Sequence, residues 1–233
     1  ISNSNNIGAL TNKIDADDIT AVGKNGGIAT AGGITISSSF GDSANIESIT
    51  NKVDADDITA VAKGEYATAT AGGVGAEQTR NTGKLKNVVN ADDITAIATG
   101  SAGFEGGSTA VAGGIDLKGS GVQNIQDVTN VVDADDITAV ARGGATAAAG
   151  GVSMNYVRDI NGDVVNVVNA DDITAVAKGA GAVAVAGGIA LGDGYPGYAA
   201  ENLGAITNVI DADDITAYAD SESSAVAGGV SIR

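Results

Sequence analysis

The pentapeptide ADDIT occurs six times in this 233-residue chain, with its second Asp at Asp18, Asp57, Asp93, Asp136, Asp172 and Asp214. The intervals are 39, 36, 43, 36 and 42 residues. Self-similarity at that period places the chain among repeat architectures, in which one copy is too small to bury its apolar face and stacked neighbours bury it continuously. A single solenoid domain over 1–233 follows, with repeats at about 6–44, 45–80, 81–123, 124–159, 160–201 and 202–233.

A second landmark, AGG followed by Ile or Val, also occurs six times, its first glycines being Gly32, Gly72, Gly113, Gly150, Gly187 and Gly228. An Ala, any, Ala alternation precedes it, as in Ala69 and Ala71 or Ala110 and Ala112. Period two with Ala on one face is a strand whose inner side has little room. Apolar pairs after the glycines, such as Ile34 and Ile36 or Ile115 and Leu117, carry the alternation past a bend. A third element lies upstream of ADDIT, seen as NIGALTNKID from Asn6 and NIQDVTNVVD from Asn124, and shortened to NVVN at Asn87 and Asn166. Length varies between AGG and this element, and in an insert around Gly103 to Gly107, which marks surface loops.

Composition narrows the packing. With 35 Gly, 3% aromatics and no Trp, Cys or His, the core must be built from Ala, Val, Ile and backbone. Val, Ile, Thr and Gly outweigh the straight-chain helix formers, favouring strands. The expected class is therefore mainly β, a parallel β-solenoid (β-helix) of six 36–43-residue repeats.

Two readings of ADDITAVA stay open. As a short helix, Asp15 caps the first turn, Asp17 and Asp18 sit at its positive end, and Ile14 packs on Ile19. As a strand, Asp and Asn form a polar turn and ITAVA points Ile19 and Ala21 inward. That puts outward a column that stays apolar: Val22, Val61, Ile97, Val140, Val176 and Tyr218.

The acidic block contributes 16 of the 29 acids. Stacked in register, like charges about 5 Å apart cost on the order of 1 kcal/mol per pair in water. Backbone N–H groups, the basic column Lys24, Lys63, Arg142 and Lys178, or bound calcium would offset this. The candidate calcium ligands are Asp17, Asp18, Asp56, Asp57, Asp92, Asp93, Asp135, Asp136, Asp171, Asp172, Asp213 and Asp214; the spacing is neither that of an EF-hand nor of the Gly-rich calcium nonapeptide. No cofactor is otherwise required.

Without His or Cys, the common nucleophile systems and zinc sites cannot be assembled. Paired carboxylates remain, but they recur six times whereas an active site is one place, so no enzyme is expected. A net charge of -17 disfavours nucleic acid and anionic membranes as partners, and the weakly polar stretch around Ala180 to Leu191 is too short and Gly-rich to span a bilayer. The invariant Thr20, Thr59, Thr95, Thr138, Thr174 and Thr216 raise an ice-binding reading, but a regular second Thr two residues on is missing. Tyr156, Tyr195 and Tyr198 fall in the variable loops and are candidate contact residues.

The segments AVAGGIDLKGSG from Ala110, TAGGITISSSFG from Thr30 and VAGGVSIR from Val226 resemble the Gly-rich rungs of filamentous haemagglutinin-type adhesins. That resemblance covers about a third of each repeat, excludes ADDIT, and implies a right-handed parallel β-helix exported to the cell surface. Ile1 in place of Met agrees with a removed leader and an extracellular location. The first repeat element opens at Asn6 and the sixth closes at Ile232, with no divergent cap at either. Copies of the chain are therefore the expected partners, docking last repeat on first in an open filament or stalk; a monomeric or fragmentary adhesin solenoid is the alternative.

Overall fold

The structure, a computed structural model, describes residues 7–37, 46–77, 82–100, 107–118, 125–155, 161–191, 204–220 and 222–232. Six long strands form one sheet: β1 (Ile7–Lys24), β4 (Ile46–Lys63), β7 (Thr82–Thr99), β10 (Asp127–Arg142), β12 (Val164–Lys178) and β14 (Ile206–Ala219), paired in that order. All pairings are parallel and follow the repeat, so that Ile19 lies beside Ile58 and Ile137 beside Ile173. Partners differ by one repeat interval, which means that one copy makes one coil. The parallel β-solenoid expected from the repeats is the fold, and the competing helix does not form: every ADDITAVA segment lies inside a long strand.

Short strands build the opposite sheet. One column is β2 (Ile28–Ala31), β5 (Thr68–Ala71), β8 (Thr109–Ala112) and β15 (Ser224–Ala227); the other is β3 (Ile34–Ser37), β6 (Val74–Glu77), β9 (Ile115–Lys118) and β16 (Val230–Ile232). Two longer strands, β11 (Thr146–Asn155) and β13 (Val183–Leu191), run through both columns and join them. Strands thus lie across the stacking direction and their ladder hydrogen bonds lie along it.

Local chemistry explains the path of each coil. In β10 the inward residues are Val128, Asn130, Val132 and Ala134, then Ile137, Ala139 and Ala141, while the consecutive acids Asp135 and Asp136 both face out. The alternation therefore slips by one residue at the acids and the strand turns a corner there. A turn after the terminal Lys or Arg uses left-handed residues such as Gly143 and Gly144 (φ 55° and 58°). The chain then returns with Ala145, Ala147 and Ala149 inward.

The AGG glycine closes the coil on the Ile of ADDIT. Gly32, Gly72, Gly113, Gly150, Gly187 and Gly228 all have φ between 46° and 61°. A Cβ added at Gly113 would stand 2.7 Å from Ile94 Cγ2, and one at Gly72 would stand 2.5 Å from Ile58 Cγ2. The two most regular landmarks of the sequence are thus opposite walls of one core. Ile58, Ile94, Ile137 and Ile173 are fully buried there, each contributing about 1.5–3 kcal/mol of hydrophobic stabilisation.

Candidate functional site

Three features recur coil after coil and could carry function: an outward acidic column, an outward polar and aliphatic face, and a buried file of asparagines. The acidic column stacks as the spacing implied, with Asp18 beside Asp57, Asp57 beside Asp93, and so on to Asp214. Asp17, Asp18, Asp56, Asp92, Asp93, Asp135, Asp136, Asp171, Asp172, Asp213 and Asp214 are exposed, and Asp57 is half-buried. Among the described residues no group of three or more acids is placed to hold a metal ion. Nor do Lys24, Lys63, Arg142 and Lys178 pair with these acids; Lys178 lies over the Tyr218 ring, 5.4 Å from its centroid.

Crowding perturbs three carboxyls of this column. Partial desolvation, followed by the charge of Asp92 and other neighbouring acids, raises the Asp56 carboxyl above its ordinary value. Desolvation and then Asp136 do the same to Asp93 and Asp172.

A second acidic column, beginning at Asp15, is managed differently. Lys13 Nζ lies 2.6 Å from Asp15 and Lys52 Nζ 2.7 Å from Asp54. Where the motif reads NADD instead of DADD, the Asn donates to the Asp of the preceding coil: Asn90 Nδ2 to Asp54 Oδ1 at 2.9 Å, and Asn169 Nδ2 to Asp133 Oδ1 at 2.7 Å. The Asp/Asn variation thus replaces repulsion with a hydrogen bond. Hydrogen bonds from Lys52 and then Asn90 hold the Asp54 carboxyl below the usual range.

These shifts set a pH dependence. Raised carboxyls bind protons more readily in the folded chain, so their contribution to stability rises as pH falls toward the ordinary Asp value of 3.8. The lowered Asp54 contributes stability at higher pH that is lost below that value. Melting followed by circular dichroism is therefore expected to show a midpoint that climbs as pH is lowered from neutral toward the ordinary Asp value of 3.8 and drops under stronger acid. Raising sodium chloride from about 0.02 to 0.3 M at neutral pH is expected to reproduce the climb by screening. A midpoint that falls steadily on mild acidification would contradict the assignment.

The outward face beside the acids carries the Thr column and the apolar column together. Thr20 and Thr59 stand one pleat from Val22 and Val61, and Val22 is 46% exposed. The apolar column needs no covering element because its members cover one another along the stack. Tyr156, Tyr195 and Tyr198 lie outside the described residues.

The file of asparagines was not apparent from hydrophobic patterning. Asn12, Asn51, Asn87, Asn130, Asn166 and Asn208 point inward, and the middle four are fully buried. Each amide bonds the next: Asn12 Nδ2 to Asn51 Oδ1 at 2.9 Å, then Asn51 to Asn87, Asn87 to Asn130 and Asn130 to Asn166 at 2.8 Å, and Asn166 to Asn208 at 2.9 Å. The signal was there to find, since an Asn stands six residues before the second Asp in all six copies.

Comparison with known protein families, curated proteins and solved structures finds no match to this chain. The class of protein is accordingly defined by its fold, a parallel β-solenoid with a polar file through its core.

Proposed function

We propose that this chain is a structural, non-catalytic subunit that stacks end to end with copies of itself into an extracellular fibre or stalk. The observation that carries the reading is the coil-to-coil contact, which repeats in one register from β1 to β14 so that each coil fits the next. Ile215 is 51% exposed, whereas its column mates Ile58, Ile94, Ile137 and Ile173 are fully buried. Among the described residues β14 pairs only with β12 and β1 only with β4, and a strand edge in that state is of the kind that templates another strand. A heterologous contact between such ends repeats without closing. The acidic composition supports a solvated setting away from nucleic acid and anionic lipid.

End-to-end docking would bring Asp213 and Asp214 of one copy beside Asp17 and Asp18 of the next, continuing the column. Assembly is therefore expected to be promoted by salt. Sedimentation velocity and negative-stain electron microscopy across about 0.02–0.5 M sodium chloride should show particles lengthening with both salt and protein concentration. A monomer at every concentration and salt would overturn the proposal and favour an adhesin that works as a single solenoid.

A further inference from the structure

The file of asparagines has a direction. Every amide donates from its own Nδ2 to the Oδ1 of the next coil toward the C-terminus. Over the described residues its first and last members are therefore unlike. Among the described residues, nothing donates to Asn12 Oδ1 at one end and nothing accepts from Asn208 Nδ2 at the other. Both side chains are half-buried, in contrast to the four sealed between them.

The geometry points to these two groups as the recognition element of the end-to-end contact: Asn208 Nδ2 of one copy donates to Asn12 Oδ1 of the next. This rests on the stacking reading above and adds what selects the partner and its orientation. Two C-terminal ends facing each other would set donor against donor, and two N-terminal ends acceptor against acceptor. In a water-excluded junction each mismatch leaves buried polar groups unpaired, which is costly. Only head-to-tail docking in the same register extends the file. The same register places Ile215 against the coil that carries Ile19 and Ala21, so apolar burial and amide pairing select one arrangement.

The ladder's polarity makes a clean test available. In Asn208→Asp the carboxylate still accepts from Asn166 Nδ2, so the file within the chain is kept, and on the open end coil the charge stays hydrated in the monomer. Such a carboxylate has no proton to donate and would face the Asn12 carbonyl oxygen of an incoming copy. The monomer's melting midpoint is expected to match wild type, while the critical concentration for assembly rises at least about tenfold, the factor that 1.4 kcal/mol represents. Its N-terminal end is intact, so traces of Asn208→Asp added to wild type should cap growing C-terminal ends and shorten the fibres.

Ile215→Lys, which spoils the apolar contact whatever the amides do, serves as the comparison. If wild type assembles, Ile215→Lys does not, and Asn208→Asp assembles like wild type, then the amide inference fails while the stacking reading survives. If wild type itself never assembles, the stacking reading fails and the inference with it. A lowered melting midpoint for monomeric Asn208→Asp would overturn the claim that the carboxylate fits the end coil.

Discussion

Asn87→Leu is expected to destabilise the solenoid by about 2–6 kcal/mol, enough to unfold the central coils of a marginally stable chain. Asn87 accepts from Asn51 and donates to Asn130, and all three are fully buried. The leucine would leave a donor and an acceptor without partners, each costing about 1–3 kcal/mol. The same change at the half-buried Asn12 strands only Asn51 Oδ1 and should cost less than half as much. Chemical denaturation of both variants gives the comparison. Equal losses at the two positions would mean that packing volume, and not amide pairing, governs the file. Replacing all the buried asparagines together is expected to be milder than the sum of single changes, since partners then disappear in pairs.

Gly113→Ala is the second large effect, about 2–4 kcal/mol from two separable sources. One is the left-handed backbone at φ 48°, which costs a residue with a Cβ on the order of 1 kcal/mol. The other is overlap with Ile94 Cγ2 at 2.7 Å, which forces overpacking worth about 1–3 kcal/mol. Ile94→Ala removes the overlapping atom at the expense of a cavity. The double variant should therefore be more stable than the two single losses added together. Strict additivity would show that the methyl group is absorbed elsewhere and that the Gly–Ile contact does not fix the corner.

Much of this fold was legible in the repeat alone. The intervals between ADDIT copies are the register of the long sheet, as Asp18 beside Asp57 and Asp172 beside Asp214 demonstrate. The Ala, any, Ala alternation marked a strand with no space behind it, and Ala69, Ala71, Ala110 and Ala112 are buried accordingly. Three things were harder to see. Asp17 and Asp18 both face outward, which shifts the alternation by one residue and makes a single strand from Ile7 to Lys24 read as two unlike elements. The apolar column at Val22 suggested a missing cover, because a one-dimensional pattern does not reveal that residues one repeat apart are neighbours. Finally, a buried asparagine defies hydrophobic periodicity; it is admissible only because its counterparts above and below satisfy it, a circumstance visible once the coils are stacked.

The crosswise lie of the strands has a mechanical consequence. Traction applied along the stack pulls straight on the ladder hydrogen bonds, and all the bonds between two adjacent coils share that load. Neighbouring coils interact almost solely with one another, so a stretched molecule gives way at its frailest junction, one coil peeling from the next. The coil left behind retains its shape and its exposed edge, and offers the template on which the detached segment re-zips when tension is released.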